Sequence, residues 1–124
     1  FKSVNDRYGH PEGDRVLTEF SEFFRNNLRS SDMLGRWGGD EFLVILPETS
    51  ASRARHLLGR VRTELPLISF GKNMVSVGMD FGIAAFPGGG KTSEKLVETA
   101  DARLYEAKRS AENMHLKDSK TNEH

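Results

Sequence analysis

Apolar residues recur at helical spacing in three stretches of the chain. Val16, Leu17, Phe20, Phe23, Phe24 and Leu28 follow one another at steps of one, three or four. Such spacing puts them on one face and predicts an amphipathic helix over about 12–27. Ala54, Leu57, Leu58, Val61 and Leu65 repeat the pattern, with Ser50 placed to cap the helix and Pro66 to stop it. Leu96, Val97, Ala100, Leu104 and Ala107 mark a third helix beginning near Ser93.

Between the first two helices, 33–37 and 41–46 read as strands around Gly38-Gly39-Asp40. Adjacent glycines permit positive φ at a tight turn, so a β-hairpin is the natural reading. Phe42 to Leu46 is apolar throughout, which predicts a strand covered on both faces. Residues 75–86 are apolar but broken by Gly78 and Gly82, and predict one bent strand or two short ones. The order is helix, strand, turn, strand, helix, strand, helix. That order predicts an α+β domain with helices packed on a mainly antiparallel sheet. Such sheets commonly begin with a strand, and none precedes the first helix here.

Composition narrows the class. A chain of 124 residues makes one domain with a real core. Eighteen basic residues balance eighteen acidic ones, which argues against a general nucleic-acid binder. With no cysteine, disulfides are excluded. No run reaches the ~18 apolar residues of a membrane span, and no signal peptide is visible. The expectation is a soluble, cytoplasmic domain over 1–115, with 116–124 a polar, frayed tail. The chain opens at Phe1 without a methionine, inside a motif.

One loop invites a false reading. Phe86 to Thr92 follows a strand-like run, precedes a helix and ends in Gly90-Lys91-Thr92. A phosphate-binding P-loop needs glycine five places before that triplet, where this chain has Ala85. A flexible strand-to-helix connection is the better reading.

The hairpin is chemically richer. Asp40 and Glu41 sit at a turn whose glycines leave a ligand's approach unblocked. Mg²⁺ prefers one or two carboxylates together with phosphate oxygens, so hard oxygen ligands at this turn suit it. A bare Gly-Gly-Asp is nevertheless ordinary turn chemistry, with the aspartate stabilising the bend and the glutamate solvated.

The surrounding motifs decide the matter. Arg36-Trp37-Gly38-Gly39-Asp40-Glu41-Phe42 carries the GGDEF signature in full. Phe1-Lys2-Ser3-Val4-Asn5-Asp6, with Gly9-His10 and Gly13-Asp14, resembles that family's FKxxND…GH…GD segment. Ala100-Asp101-Ala102-Arg103-Leu104-Tyr105, with Ala107-Lys108, resembles its ADxALYxAK helix. Three ordered motifs at proper intervals cover nearly the whole chain, which is identified as a member of the GGDEF family.

The resemblance implies a palm-like fold related to nucleotide cyclases and ferredoxin-like domains, with the motif on a β-hairpin. It also implies a diguanylate cyclase that condenses two GTP into cyclic di-GMP plus two pyrophosphates. Two domains face one another as a homodimer, and each 3′-hydroxyl attacks the α-phosphate of the opposite nucleotide. Mg²⁺, or Mn²⁺ in its place, is the implied cofactor. Asp40 and Glu41 become metal ligands, Glu41 alternatively orienting or deprotonating the hydroxyl. Lys2 and Lys108 resemble triphosphate-contacting lysines, and Phe1, Gly38 and Gly39 line the GTP site. Asn5 and Asp14 match the residues that read the guanine edge. The types fit, since an amide offers donor and acceptor and a carboxylate accepts from guanine N–H groups.

Arg29 and Asp32 stand nine and six residues before Gly38, matching the family's RxxD inhibitory motif for cyclic di-GMP. A guanidinium grips phosphate or guanine acceptors, and Arg60 on the next helix is a further contact. Arg and Asp at this spacing also pair locally on many solvated surfaces.

Two departures qualify the picture. The family's first strand ends in an Asp-x-Asp just ahead of Phe-Lys, and its first aspartate binds metal. The present sequence starts after it. The expectation is a fragment of a longer chain with an upstream sensory or dimerising domain, possessing neither stable folding nor turnover on its own. That longer chain has room for an upstream membrane anchor. Second, Glu112 stands where the family carries an arginine that assists the phosphates. Repulsion from triphosphate at a partly exposed position is on the order of 1 kcal/mol. The alternative reading is a degenerate GGDEF domain that binds GTP or cyclic di-GMP as a receptor without turnover.

Overall fold

The computed structural model describes residues 2–122, with side chains described over 4–110. The chain divides into two compact units, Phe1–Thr49 with His56–Gly78, and Ser50–Arg55 with Met79–His124.

The first unit begins with a short helix, α1 (Lys2–Tyr8), that apolar periodicity did not announce. Gly9, at φ 90°, turns the chain into α2 (His10–Arg25), which has Pro11 in its first turn. α2 is the amphipathic helix expected, and Val16, Leu17, Phe20 and Phe24 are buried along its face. Val4 from α1, with Leu58, Val61, Leu65 and Phe70 from further along the chain, complete this core. Phe20 is its hub. Its ring lies 5.9 Å from Phe24, 5.4 Å from Phe42 and 6.3 Å from Phe70, all tilted or edge-on. Such ring pairs add ~0.5–1.5 kcal/mol each beyond area burial, so one side chain ties helix, hairpin and turn together.

The hairpin follows. β1 (Met33–Gly38) and β2 (Glu41–Ile45) pair antiparallel, with Met33 opposite Ile45 and Arg36 opposite Phe42. The register shifts between Arg36 and Gly38, which leaves Trp37 bulged and 62% exposed. Burial of β2 on both faces is not met. Phe42, Leu43 and Val44 are half-buried and Ile45 is 49% exposed, because the described residues form a sheet of only these two strands.

α3 (Ala51–Glu64) starts where Ser50 predicted: the Ser50 hydroxyl oxygen accepts from the Arg53 backbone N–H at 3.2 Å. A 3-10 turn, Leu65–Leu67, carries Pro66 beyond it. The chain then bends through Gly71 and Met74, both at positive φ, and a single bridge pairs Phe70 with Val75. Two glutamates of α2 hold this bend. Glu19 accepts from the Gly71 N–H at 2.5 Å, and Glu12 accepts from Lys72 N–H at 3.1 Å and Asn73 N–H at 2.8 Å. The Asn73 side-chain amide also donates to Glu12. Glu12 is only 7% exposed. Burial alone would raise its pKa, but these hydrogen bonds and the Arg15 charge hold it below the usual carboxylate range.

The second unit corrects one expectation. Beyond the Val75 bridge, residues 75–86 form no strand among the described residues. Their backbone is used for close approach to a helix instead of a ladder. A Cβ on Gly82 would sit 2.2 Å from the Ala100 carbonyl oxygen and 2.3 Å from the Leu104 nitrogen, both on α4 (Ser93–Asn122). Arg103 of α4 also donates to the Ile83 carbonyl. Thr92 caps α4, its hydroxyl accepting from the Lys95 N–H at 3.1 Å. The glycine-rich loop before it is tied down where Thr99 donates to the Gly89 carbonyl at 2.7 Å. This is a connection, as the failed P-loop pattern indicated. α4 extends to Asn122. No helix among the described residues is long and apolar enough to cross a membrane.

Candidate functional site

The hairpin turn is held by its own motif. Arg36 Nε donates to the Gly39 carbonyl oxygen at 2.8 Å, bridging the end of β1 to the turn. Gly39 has φ 52°, a conformation that strains any side chain. A Cβ on Gly38 or Gly39 would meet nothing within 4 Å, so the space above the turn is open to a ligand. Asp40 is exposed and Glu41 half-buried at the start of β2. Among the described residues no third acidic or histidine side chain joins them to form a metal cluster. Two adjacent carboxylates fit an Mg²⁺ ion that takes the rest of its shell from phosphate and water.

Beside the hairpin, α2 and the two strands enclose an open groove of about 330 Å³. Asp14, Leu17, Thr18 and Arg25 line it from the helix, and Arg36 and Phe42 from the strands. The structure therefore brings Asp14 and the first residue of the signature to one groove. Asn5 lies against Gly13, the residue before Asp14 on α2. A Cβ on Gly13 would come within 1.6 Å of the Asn5 amide oxygen. That oxygen is buried with no hydrogen-bond partner. A lost acceptor costs ~1–3 kcal/mol, the signature of an atom that a ligand or water completes.

A second cluster lies at Arg29 and Asp32. They are bonded to each other: Arg29 Nη2 lies 3.1 Å from Asp32 Oδ1, Nε 3.4 Å from Oδ2, and the Arg29 backbone N–H donates to Oδ2 at 2.8 Å. The local pairing anticipated for this spacing is thus formed. The same Nη2 donates to the Pro47 carbonyl at 3.0 Å and the Thr49 hydroxyl at 2.7 Å. The Asp32 side chain is 2% exposed and that of Arg29 56%. The Arg29 hydrogen bond, opposed by burial, lowers the Asp32 pKa; the Asp32 bond and charge raise that of Arg29.

The other expected residues are more dispersed. Arg60 is exposed on α3, and among the described residues no hydrogen bond or ion pair joins it to Arg29 or Asp32. Lys2 begins α1 and Lys108 is exposed on α4, in the other compact unit. Phe1 lies outside the described residues, as does the side chain of Glu112. Sequence reasoning missed Arg36 as the brace of the turn, although it heads the signature. It also missed Pro47 and Thr49, for which nothing local in the sequence gives a signal.

An α+β domain with a Gly-Gly-Asp-Glu turn beside a helix-walled groove defines the class. The family model for the diguanylate cyclase GGDEF domain matches residues 1–114, and the chain belongs to that family. It is 38% identical over 117 residues to the response regulator PleD of Caulobacter vibrioides, covering 91% of this chain and 26% of that protein. The chain therefore spans about a quarter of the length of this curated relative. Among solved structures, the active GGEEF domain of a diguanylate cyclase from Vibrio cholerae superposes with a TM-score of 0.79 at 28% identity. That match covers 88% of this chain and 70% of the other. The GGDEF domain of DgcB from Caulobacter crescentus, solved in complex with c-di-GMP, gives a TM-score of 0.78 at 28% identity, covering 88% and 66%.

Proposed function

We propose that this domain, within its natural protein, condenses two GTP into cyclic di-GMP and two pyrophosphates. The observation that carries the reading is the groove between α2 and the hairpin, with Asp14 on its wall, and the buried, unpartnered Asn5 oxygen packed against the adjacent Gly13. Family membership and the likeness to an active cyclase domain support it.

In this reading Asp14 accepts from the N1–H and N2–H of guanine while the Asn5 amide completes the edge. Gly38 and Gly39 let the triphosphate approach the backbone of the turn. Asp40 and Glu41 hold a divalent ion, Mg²⁺ or Mn²⁺, which neutralises phosphate charge when bound. Lys2 and Lys108 are the lysines that the family resemblance assigns to the triphosphate. Two domains meet as a homodimer so that each nucleotide's 3′-hydroxyl lies in line with the other's α-phosphate. Attack forms the P–O3′ bond, expels pyrophosphate and releases the hydroxyl proton; in this reading Glu41 orients or deprotonates that hydroxyl. Twice repeated, the step closes the ring.

Product inhibition at Arg29 and Asp32, with Arg60 as a further contact, belongs to the same proposal. The DgcB structure with bound c-di-GMP shows that a domain of this family takes the ligand. An upstream sensory or dimerising region is proposed as well, since PleD is about four times the length matched here. Base selectivity tests the groove. The full-length protein is expected to bind GTP well above ATP, and Asp14→Ala to erase that preference. Equal binding of GTP and ATP by the unaltered protein would remove Asn5 and Asp14 from the site. A receptor that binds without turnover is the second reading, favoured by Glu112 at the usual arginine position.

A further inference from the structure

Arg29 is oversubscribed. Its guanidinium has five N–H groups in a planar fork, and the Nε–Nη2 edge faces the Asp32 carboxylate. The second hydrogen of Nη2 meets two more acceptors, the Thr49 hydroxyl at 2.7 Å and the Pro47 carbonyl at 3.0 Å. Thr49 also donates to the Pro47 carbonyl at 3.0 Å, which closes the loop on itself beneath the guanidinium. The residue between them, Glu48, sits at φ 52°, where a side chain is strained. It is exposed, and its charge acts on Arg29.

A guanidinium that has committed one edge to a carboxylate grips a second ligand only with the edge that remains. For Arg29 that edge is Nη1–Nη2. A bidentate hold on a phosphate, or on the O6 and N7 acceptors of guanine, needs the Nη2 hydrogen now given to the loop. An anionic ligand binding Arg29 also feels the negative charge of Glu48, which acts on the same guanidinium.

We propose that the Pro47-Glu48-Thr49 loop masks Arg29, so that cyclic di-GMP displaces Thr49 in order to bind and the loop sets the affinity of product inhibition. The proposal rests on the reading of Arg29 and Asp32 as the product site, and regulates that same site. Thr49 acts through Arg29 and is a positioning residue; Glu48 opposes ligand charge.

Calorimetric titration of the full-length protein with cyclic di-GMP, in the absence of GTP, tests it with four variants. Thr49→Val removes the competing hydroxyl and is expected to tighten binding roughly 2- to 10-fold, the range of one net hydrogen bond. Thr49→Ser keeps the hydroxyl and is expected to bind as the unaltered protein does. Glu48→Gln is expected to tighten binding and to flatten its salt dependence. Arg29→Ala is expected to abolish binding. Unchanged binding by Arg29→Ala would overturn the product-site reading itself. Loss of binding there, with unchanged or weaker binding by Thr49→Val, would overturn only the mask.

Discussion

Arg36 donates from Nε to the Gly39 carbonyl at 2.8 Å, so the first residue of the signature braces the turn that carries its two carboxylates. The side chain also lines the groove beside Asp14. Arg36→Ala is expected to lower kcat/KM about tenfold, while stability falls by only ~0.5–1.5 kcal/mol for one exposed hydrogen bond. Arg36→Lys keeps the charge without the fixed fork and should recover only part of the activity. Steady-state kinetics beside thermal melts check this. Full activity in Arg36→Ala would show that the turn keeps its shape without the brace.

Two glycines separate structure from chemistry. A Cβ on Gly13 would strike the Asn5 amide oxygen at 1.6 Å, whereas one on Gly38 meets nothing within 4 Å. Gly13→Ala is expected to cost ~1–3 kcal/mol and to weaken GTP binding as Asn5 is displaced. Gly38→Ala is expected to leave the melting temperature within a few degrees of the unaltered protein and still suppress turnover. Its side chain intrudes only on a ligand. Normal turnover by Gly38→Ala would mean that phosphate does not approach the turn.

Glu12 predicts a pH dependence. Its folded pKa is depressed below the ordinary 4.5, with burial opposing the shift and hydrogen bonds from Lys72 and Asn73 outweighing it. A depressed carboxylate contributes stability above its unfolded pKa and loses it as pH falls through the folded value. Asp32 acts in the same direction. Glu12→Gln should therefore melt at lower temperature than the unaltered protein at pH 7, and the gap should narrow as pH drops below about 4.5. A gap independent of pH would show that the carboxylate charge contributes nothing at that bend.

Gly82 reports on the second unit. With 2.2 Å between its would-be Cβ and the Ala100 carbonyl, backbone atoms on α4 leave no room to adjust. Gly82→Ala is expected to destabilise by ~2–4 kcal/mol, at the severe end for a single methyl. A neutral result in thermal denaturation would contradict the close approach of residues 79–86 to α4.

What the sequence revealed and concealed divides along the range of the interactions. α2, α3 with its Ser50 cap, and the hairpin around Gly38 and Gly39 were legible because periodicity, capping and turn chemistry are local. Residues 75–86 were misread as strand because apolar composition does not say whether a partner is a ladder or a helix. Gly82, taken as a break in a strand, is the point of helix contact. The contacts of Glu12 with Lys72 and Asn73 span 60 and 61 residues, and no window over α2 contains their partners. For the site, the motifs named Asn5, Asp14, Arg29, Asp32, Asp40 and Glu41. They did not disclose that Arg36 braces the turn, or that Thr49 shares Arg29 with Asp32.

The most direct test of the central claim is GTP turnover by the full-length protein in Mg²⁺, with products separated by chromatography and Asp40→Ala run alongside. Cyclic di-GMP from the unaltered protein, lost in Asp40→Ala, is the predicted result. GTP binding without cyclic di-GMP would contradict the cyclase reading and leave a nucleotide receptor, with Glu112 the first residue to change.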